Sequence, residues 1–301
     1  MDGGGSPAGN AFEAFRCGGG GGAVRIPAIA PSVEGNAKRT REVQKGEPSQ
    51  RCKQPKSKAK QIGSSESGDG IVGLPEKLGD SPLRLVIVGH NPSDHAWKSG
   101  HYYSNPSNRM WKILKATGIA PESVAGAIDD DKMQSDAGVG FTDVGTGHPG
   151  TVSSDFGSST FVPWREDFFS RMKAHLGRAC SEIDCECGKC GCPCIVAFAG
   201  KRQFLELFNA GRSPVNRVKS VDIGKQTRLP QGWPFPSETE VWVLPSTSGA
   251  SALKNEQREG PFREVAAILE SIPWPRNVAA KCAKERVEGK ETEQVDVKEE
   301  V

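Results

Sequence analysis

No stretch of this 301-residue chain reaches the roughly 18 consecutive apolar residues that a membrane span requires. The N-terminus carries no hydrophobic core of a secretory signal, so a soluble, intracellular protein is expected. There is no Gly-X-X-X-X-Gly-Lys-Ser/Thr run, which removes the phosphate loop of the common nucleotide hydrolases. No internal repeat is visible. Hydrophobic residues make up only 36% of the chain, which is lean for a protein folded throughout, and the shortfall is local. Residues 1–79 hold Gly-rich runs and almost no apolar periodicity, so they are expected to form a disordered arm that cannot offset its ordering entropy. The length beyond them suffices for one core, over residues 80–275, followed by a charged tail over 276–301.

A surplus of one charge is also missing, since the net charge is only +2, but the balance is uneven along the chain. Lys38, Arg39, Arg41, Lys45, Arg51, Lys53, Lys56, Lys58 and Lys60 face only Glu42 and Glu47 in the same stretch. Such an arm suits salt-sensitive attraction to phosphates and doubles as a nuclear-import signal, so the nucleus is the expected location. The alternative is a solvated tail indifferent to its charge. The end of the chain, from Glu288, is mostly acidic, and Val297-Lys298-Glu299-Glu300 fits the apolar-Lys-X-acidic pattern for a small ubiquitin-like modifier on Lys298.

What is present is an alternation of strands and helices. Leu83 to Val88 is a short apolar run bounded by Pro82 and Gly89, Cys194 to Ala199 is a second, and Val241 to Leu244 a third; each reads as a buried strand. Helices are expected over Asn108–Ala116, Arg165–Leu176 (stopped by Gly177), Lys201–Phe208 and Pro261–Leu269. Val139–Val144 fits a short strand or an extended loop. This alternation implies an α/β fold with a parallel sheet covered on both faces.

The first strand runs into Gly89-His90-Asn91-Pro92-Ser93, which delivers an uncharged amide to the carboxyl end of the sheet, where open α/β folds place ligands. Gly100-His101-Tyr102-Tyr103 and Asn108-Arg109-Met110-Trp111-Lys112 follow, and the third strand ends in Leu244-Pro245-Ser246-Thr247-Ser248-Gly249-Ala250. These segments resemble the motifs of the mismatch-specific uracil/thymine DNA glycosylases of the uracil-DNA glycosylase superfamily. That family reads Gly-Ile-Asn-Pro-Gly, then Gly-His-His-Tyr or similar, then Asn-X-Phe-Trp-Lys, with Pro-Asn/Ser-X-Ser as its second motif. The resemblance implies a three-layer α/β/α sandwich with a mainly parallel sheet over residues 80–275, and says nothing of either tail.

Breaking an N-glycosidic bond needs a base moved out of the stack, a water near the sugar carbon and stabilisation of the departing base. The resemblance makes Asn91 the catalytic residue: its carbonyl oxygen holds and orients the water. Tyr103 takes the position whose ring stacks on the flipped base, a contact worth ~1–3 kcal/mol. His90 contributes its backbone carbonyl to the base N3–H. Ala96, a methyl-sized side chain, leaves room for the C5 methyl of thymine, whereas Tyr102 stands where the thymine-active branch has His. Uracil turnover is therefore expected ahead of thymine turnover. Ser93 replaces a Gly and is strained if that Gly has a positive φ. His148 falls in the loop where the resemblance implies a further polar group near the bound water, and the other reading is a surface histidine. Ser246, Thr247, Ser248, Gly249, Ala250 and Ser251 form the loop that enters the DNA. Ala250 stands where relatives carry a Leu or Arg wedge, leaving Lys254 or Arg258 as substitutes.

Six of the nine cysteines lie between Cys180 and Cys194, in an insertion over about 180–194. A reducing compartment disfavours disulfides. Cys185, Cys187, Cys190 and Cys192 are candidate zinc ligands; the alternative is a metal-free surface insertion. The expected protein is a cofactor-independent, monofunctional glycosylase releasing uracil, and thymine, mispaired with guanine in double-stranded DNA, in base excision repair. The motifs place no Lys as a nucleophile, so no Schiff-base step is expected. The other reading is a DNA-binding scaffold that has kept the fold and lost turnover.

Overall fold

The apolar runs become the centre of one sheet. β1 is Leu85–Gly89, β2 Val139–Asp143, β3 Ile195–Ala199, β4 Gly224–Gln226 and β5 Glu240–Leu244. The computed structural model describes residues 73–249 and 253–278. The basic cluster Lys38–Lys60, Ala250, Ser251, the tail from residue 279 and its Lys298 lie outside that range. Among the described residues the strand order is β2-β1-β3-β5-β4, with every pair parallel except β4 against β5. The register sets Leu85 beside Val139 and Ile195, so β1 is hydrogen-bonded on both edges and wholly buried. That explains why it reads as a continuous apolar run rather than an alternating one.

Side chains leave the strands alternately to the two faces. Leu85, Ile87, Phe141, Ala197 and Trp242 meet α1 (Asp94–Ser99), α2 (Met110–Ala116), α3 (Lys132–Ala137) and α6 (Asn255–Glu270). Val86, Val88, Val196, Phe198 and Val243 meet α4 (Phe161–Glu182) and α5 (Lys201–Asn209). The result is a three-layer α/β/α sandwich.

Several boundaries differ from those expected. Leu74 and Leu78 are buried, Lys77 forms an antiparallel bridge with Phe141, and Glu76 is bonded to Arg171 and Thr142. The folded unit therefore begins before residue 80. At the other end Arg276 donates to the carbonyls of Leu83 and Cys192, so it extends past 275 as well. α4 runs through Gly177 to Glu182 because Ala179 and Cys180 beyond it are buried. That burial outweighs the roughly 1 kcal/mol a helical glycine costs, and it places Cys180 in the helix rather than in an insertion. α6 starts six residues before Pro261, where Gln257 Oε1 accepts the Lys254 N–H and opens the first turn.

Candidate active site

The carboxyl ends of β1, β2, β3 and β5 converge on a cavity of about 620 Å³. Its wall includes Gly89, His90, Asn91, Ala96, Tyr102, Tyr103, Asp143 and the loop Ser246–Gly249. The two sequence motifs thus meet in space. Arg109 N–H donates to the Thr247 carbonyl at 2.9 Å, and a Cβ on Gly249 would lie 2.6 Å from the Ser107 carbonyl oxygen. Only glycine lets the second motif approach the first this closely.

Asn91 is held on every side. Its Nδ2 lies 3.1, 2.9 and 3.0 Å from the carbonyl oxygens of Pro92, His148 and Gly150, which share its two N–H donors. Three carbonyl oxygens around one atom identify it as the nitrogen. Its Oδ1 lies 2.6 Å from His90 Nδ1, which must then carry a proton and donate it. A carbonyl oxygen has two lone pairs; His90 takes one and leaves the other. The amide cannot swing, so the oxygen is pre-aimed. His148 contributes through its backbone carbonyl, while its ring lies exposed against Trp164, 5.1 Å between centroids.

The His90 side chain has a part the motifs did not indicate. Its backbone carbonyl accepts the Gly145 N–H at 2.8 Å and keeps a second lone pair. Its ring sits among Phe156, Phe161 and Trp164, with centroids 5.2–5.9 Å away. Burial lowers its pKa, opposed by the bond to Asn91 and assisted by Arg202, so the imidazole is neutral at pH 7. A neutral ring donating through Nδ1 fixes Asn91 without bringing a positive charge into the core. Ser93 is unstrained: its φ is −70°, and its hydroxyl accepts the Ala96 N–H as the N-cap of α1. Serine is among the preferred residues for that place. Ala96, on the buried face of that helix, lines the cavity.

The two tyrosines, the only ones in the chain, divide the work. Tyr102 is 2% exposed, with its ring stacked on Phe141 at 5.6 Å and its carbonyl accepting Trp111 Nε1–H. It belongs to the core and touches the cavity at its wall. Tyr103 has φ +54°, is half-buried and lines the cavity. Its hydroxyl is buried without a hydrogen-bond partner.

Asp143 went unrecognised in the sequence, where an acid closing an ambiguous apolar run looks like a turn residue. It ends β2, is 3% exposed and lines the cavity. Its Oδ1 presses on Gly89, where a Cβ would come within 2.0 Å of it and 3.0 Å of Tyr103 Oη. Burial pushes its pKa up to about 7, with Arg171 opposing the rise and Glu76 adding to it. Burial, with Asp143 next in effect, also raises both tyrosine hydroxyls well above the ordinary value. A carboxyl poised near neutrality presents both a donor and an acceptor to whatever fills the cavity.

Along the β5–α6 loop, Thr247 is buried and braces α2 through its carbonyl, whereas Ser248 and Gly249 are exposed. Arg258 is 2% exposed and donates to the Leu253 carbonyl. It is held within the fold and cannot serve as a wedge. On the far rim Lys201 and Arg202 open α5, so a helix N-terminus and two cations border the cavity. That favours anionic groups such as phosphates.

Of the four candidate zinc ligands, the fold brings three together: the Sγ atoms of Cys185, Cys187 and Cys190 all lie within 4.8 Å of one another. Cys192 is not among them. It is buried, and burial with the nearby Cys180 thiol pushes it up to about 11, opposed by a bond to Thr239.

A family model described as the uracil DNA glycosylase superfamily matches residues 76–270, the span that carries the sheet, the cavity and both motifs. Members of that superfamily are N-glycosylases that act on uracil-containing DNA, and this chain belongs to it.

Proposed function

We propose that the protein is a monofunctional glycosylase releasing uracil, and secondarily thymine, mispaired with guanine in double-stranded DNA. The carrying observation is the immobilised Asn91 amide, with one carbonyl lone pair left at the wall of a cavity large enough for a flipped pyrimidine. Tyr103, half-buried at the cavity wall, supports stacking on an entering base. A water on Asn91 Oδ1 attacks the sugar carbon as the C–N bond breaks and its electron pair leaves with the base as an anion; the water's surplus proton then passes through solvent to the base, giving a sugar hydroxyl and the neutral free base. Asparagine is too weak a base to take the water's proton early, so the rate rests on positioning and on stabilising the leaving group. The small Ala96 supports acceptance of the thymine methyl group. The alternative of an inactive scaffold has less support, because a binding module has no use for an amide fixed by four polar contacts.

Preference for mismatches follows from the loop chemistry. Flipping costs least where the pair is already weakened, and an alanine at position 250 refills little of the vacated stack. The basic residues Lys38 to Lys60 support phosphate attraction and a nuclear location, and Lys298 fits attachment of a small ubiquitin-like modifier. The direct test is incubation with duplexes carrying U·G, T·G and U·A, followed by alkaline cleavage of abasic sites. The reading predicts U·G ahead of T·G, with U·A slowest; equal rates on U·G and U·A would remove the mismatch preference.

A further inference from the structure

We propose that Cys185, Cys187 and Cys190 form a mononuclear zinc site with three thiolate ligands and a fourth position open to solvent. Zinc holds thiolates at about 2.3 Å in a tetrahedron, which sets neighbouring sulfurs about 3.8 Å apart. The protein brackets that figure: Cys185 and Cys187 Sγ are 3.1 Å apart and all three sulfurs fall within 4.8 Å. None of the three is in a disulfide.

The backbone around them has the shape such a site needs. Cys187-Gly188-Lys189-Cys190 is a C-x-x-C turn in which Gly188 adopts φ +70°, a conformation glycine takes without strain. The turn points the N–H groups of Lys189 and Cys190 at Cys187 Sγ, at 3.4 and 3.3 Å. Donors aimed at a sulfur stabilise its anionic form and fix its direction, the task of outer groups around a bound metal. Soft thiolates select zinc, copper(I) or iron–sulfur clusters. Sulfurs this close together suit one ion rather than a cluster.

Coordination at the fourth corner sets this site apart from a closed structural one. Cys192 is occupied elsewhere, beside Thr239 and Cys180. Cys185 is buried while Cys187 is exposed, so an ion is anchored from beneath and reached by water from above. On binding, each thiol not already ionised releases its proton to solvent and the sulfur lone pair enters the metal bond; nothing is oxidised or reduced. The ion would tie Cys185 to Cys187 and Cys190, pinning the middle of the loop between α4 and β3. The three cysteines are not part of the cavity wall, so the site governs stability rather than base release.

The experiment uses the full chain, stripped with a chelator and titrated with Co²⁺ and then Zn²⁺. The expected result is one ion per chain, with thiolate-to-cobalt charge transfer and the strong visible bands of a tetrahedral site. Added imidazole should alter those bands by taking the open corner. Cys187→Ser and Cys190→Ser should weaken binding at least tenfold, while Cys192→Ser should not. Because a serine variant can misfold, iodoacetamide labelling of Cys187 in the unaltered protein gives a second measure. Zinc should slow it at least tenfold and chelator should restore it. Absence of tetrahedral cobalt bands, loss of metal in Cys192→Ser, bands indifferent to imidazole, or labelling indifferent to zinc would each overturn the proposal.

Discussion

Replacing Asp143 by Asn should change how stability depends on pH more than any other single substitution in the cavity. The carboxyl has a pKa near 3.8 in an unfolded chain and about 7 in the fold. Between those values the folded protein keeps a proton that the unfolded chain has released. Stability therefore falls as pH rises through that window, by about 1.4 kcal/mol per pH unit for one proton. The shift of about three units amounts to on the order of 4 kcal/mol, present in full above pH 7 and absent below pH 4. An amide does not ionise, so Asp143→Asn should match the native protein near pH 4 and exceed it at pH 8. Other groups titrate in this range. His175, buried and brought down to about 4, makes the opposite contribution, its stability rising with pH. Subtracting the two curves cancels such contributions and isolates Asp143. Urea denaturation at half-unit steps from pH 4.5 to 8 supplies the curves. A difference that stays flat across the range would refute the assignment of a neutral, buried carboxyl.

Two further outcomes follow from the same geometry and a third from the sequence. Gly89→Ala should cost about 1–3 kcal/mol by overpacking, and an added Asp143→Ala should recover part of it, because the new Cβ meets Asp143 Oδ1 first; additive losses by thermal denaturation would contradict that contact. A chain starting at residue 80 should be less stable than one starting at 73 by about 3–6 kcal/mol, from the lost burial of Leu74 and Leu78; equal melting temperatures would show that the segment 73–79 contributes nothing. Ala250→Leu should raise activity on duplex DNA, most on U·A, and leave single-stranded DNA nearly unchanged, since there is no stack to refill; a fall on duplexes would mean the loop meets DNA differently.

The sequence carried the fold's frame because β1, β3 and β5 are buried on both faces and so appear as apolar runs. α1 and α3, at six residues each, are too short to show a helical period, and β4 is a three-residue polar edge. Neither leaves a pattern to read. Gly177 misled because its punctuation is local while the burial of Ala179 and Cys180 is tertiary. In the site, Asn91, Tyr103 and Ala96 were legible through motifs. What the motifs could not convey was which groups hold Asn91. Three of its contacts are main-chain carbonyls of Pro92, His148 and Gly150, supplied whatever the side chain, and the fourth fixing group, His90, was expected to act through its backbone. Asp143 escaped because its importance lies in burial beside Gly89 and Tyr103, residues 54 and 40 positions away in the chain. Ser93 looked strained only while its φ was unknown.

The central claim is that the fixed amide of Asn91 performs the chemistry, and single-turnover release of uracil from a U·G duplex tests it most directly. Asn91→Ala should fold, as shown by an unchanged far-ultraviolet spectrum, and should bind the duplex with affinity close to that of the native protein. Its rate of base release should be lower by on the order of 10²-fold or more, the scale of losing a positioned polar group. A variant that keeps half the native rate would contradict the account.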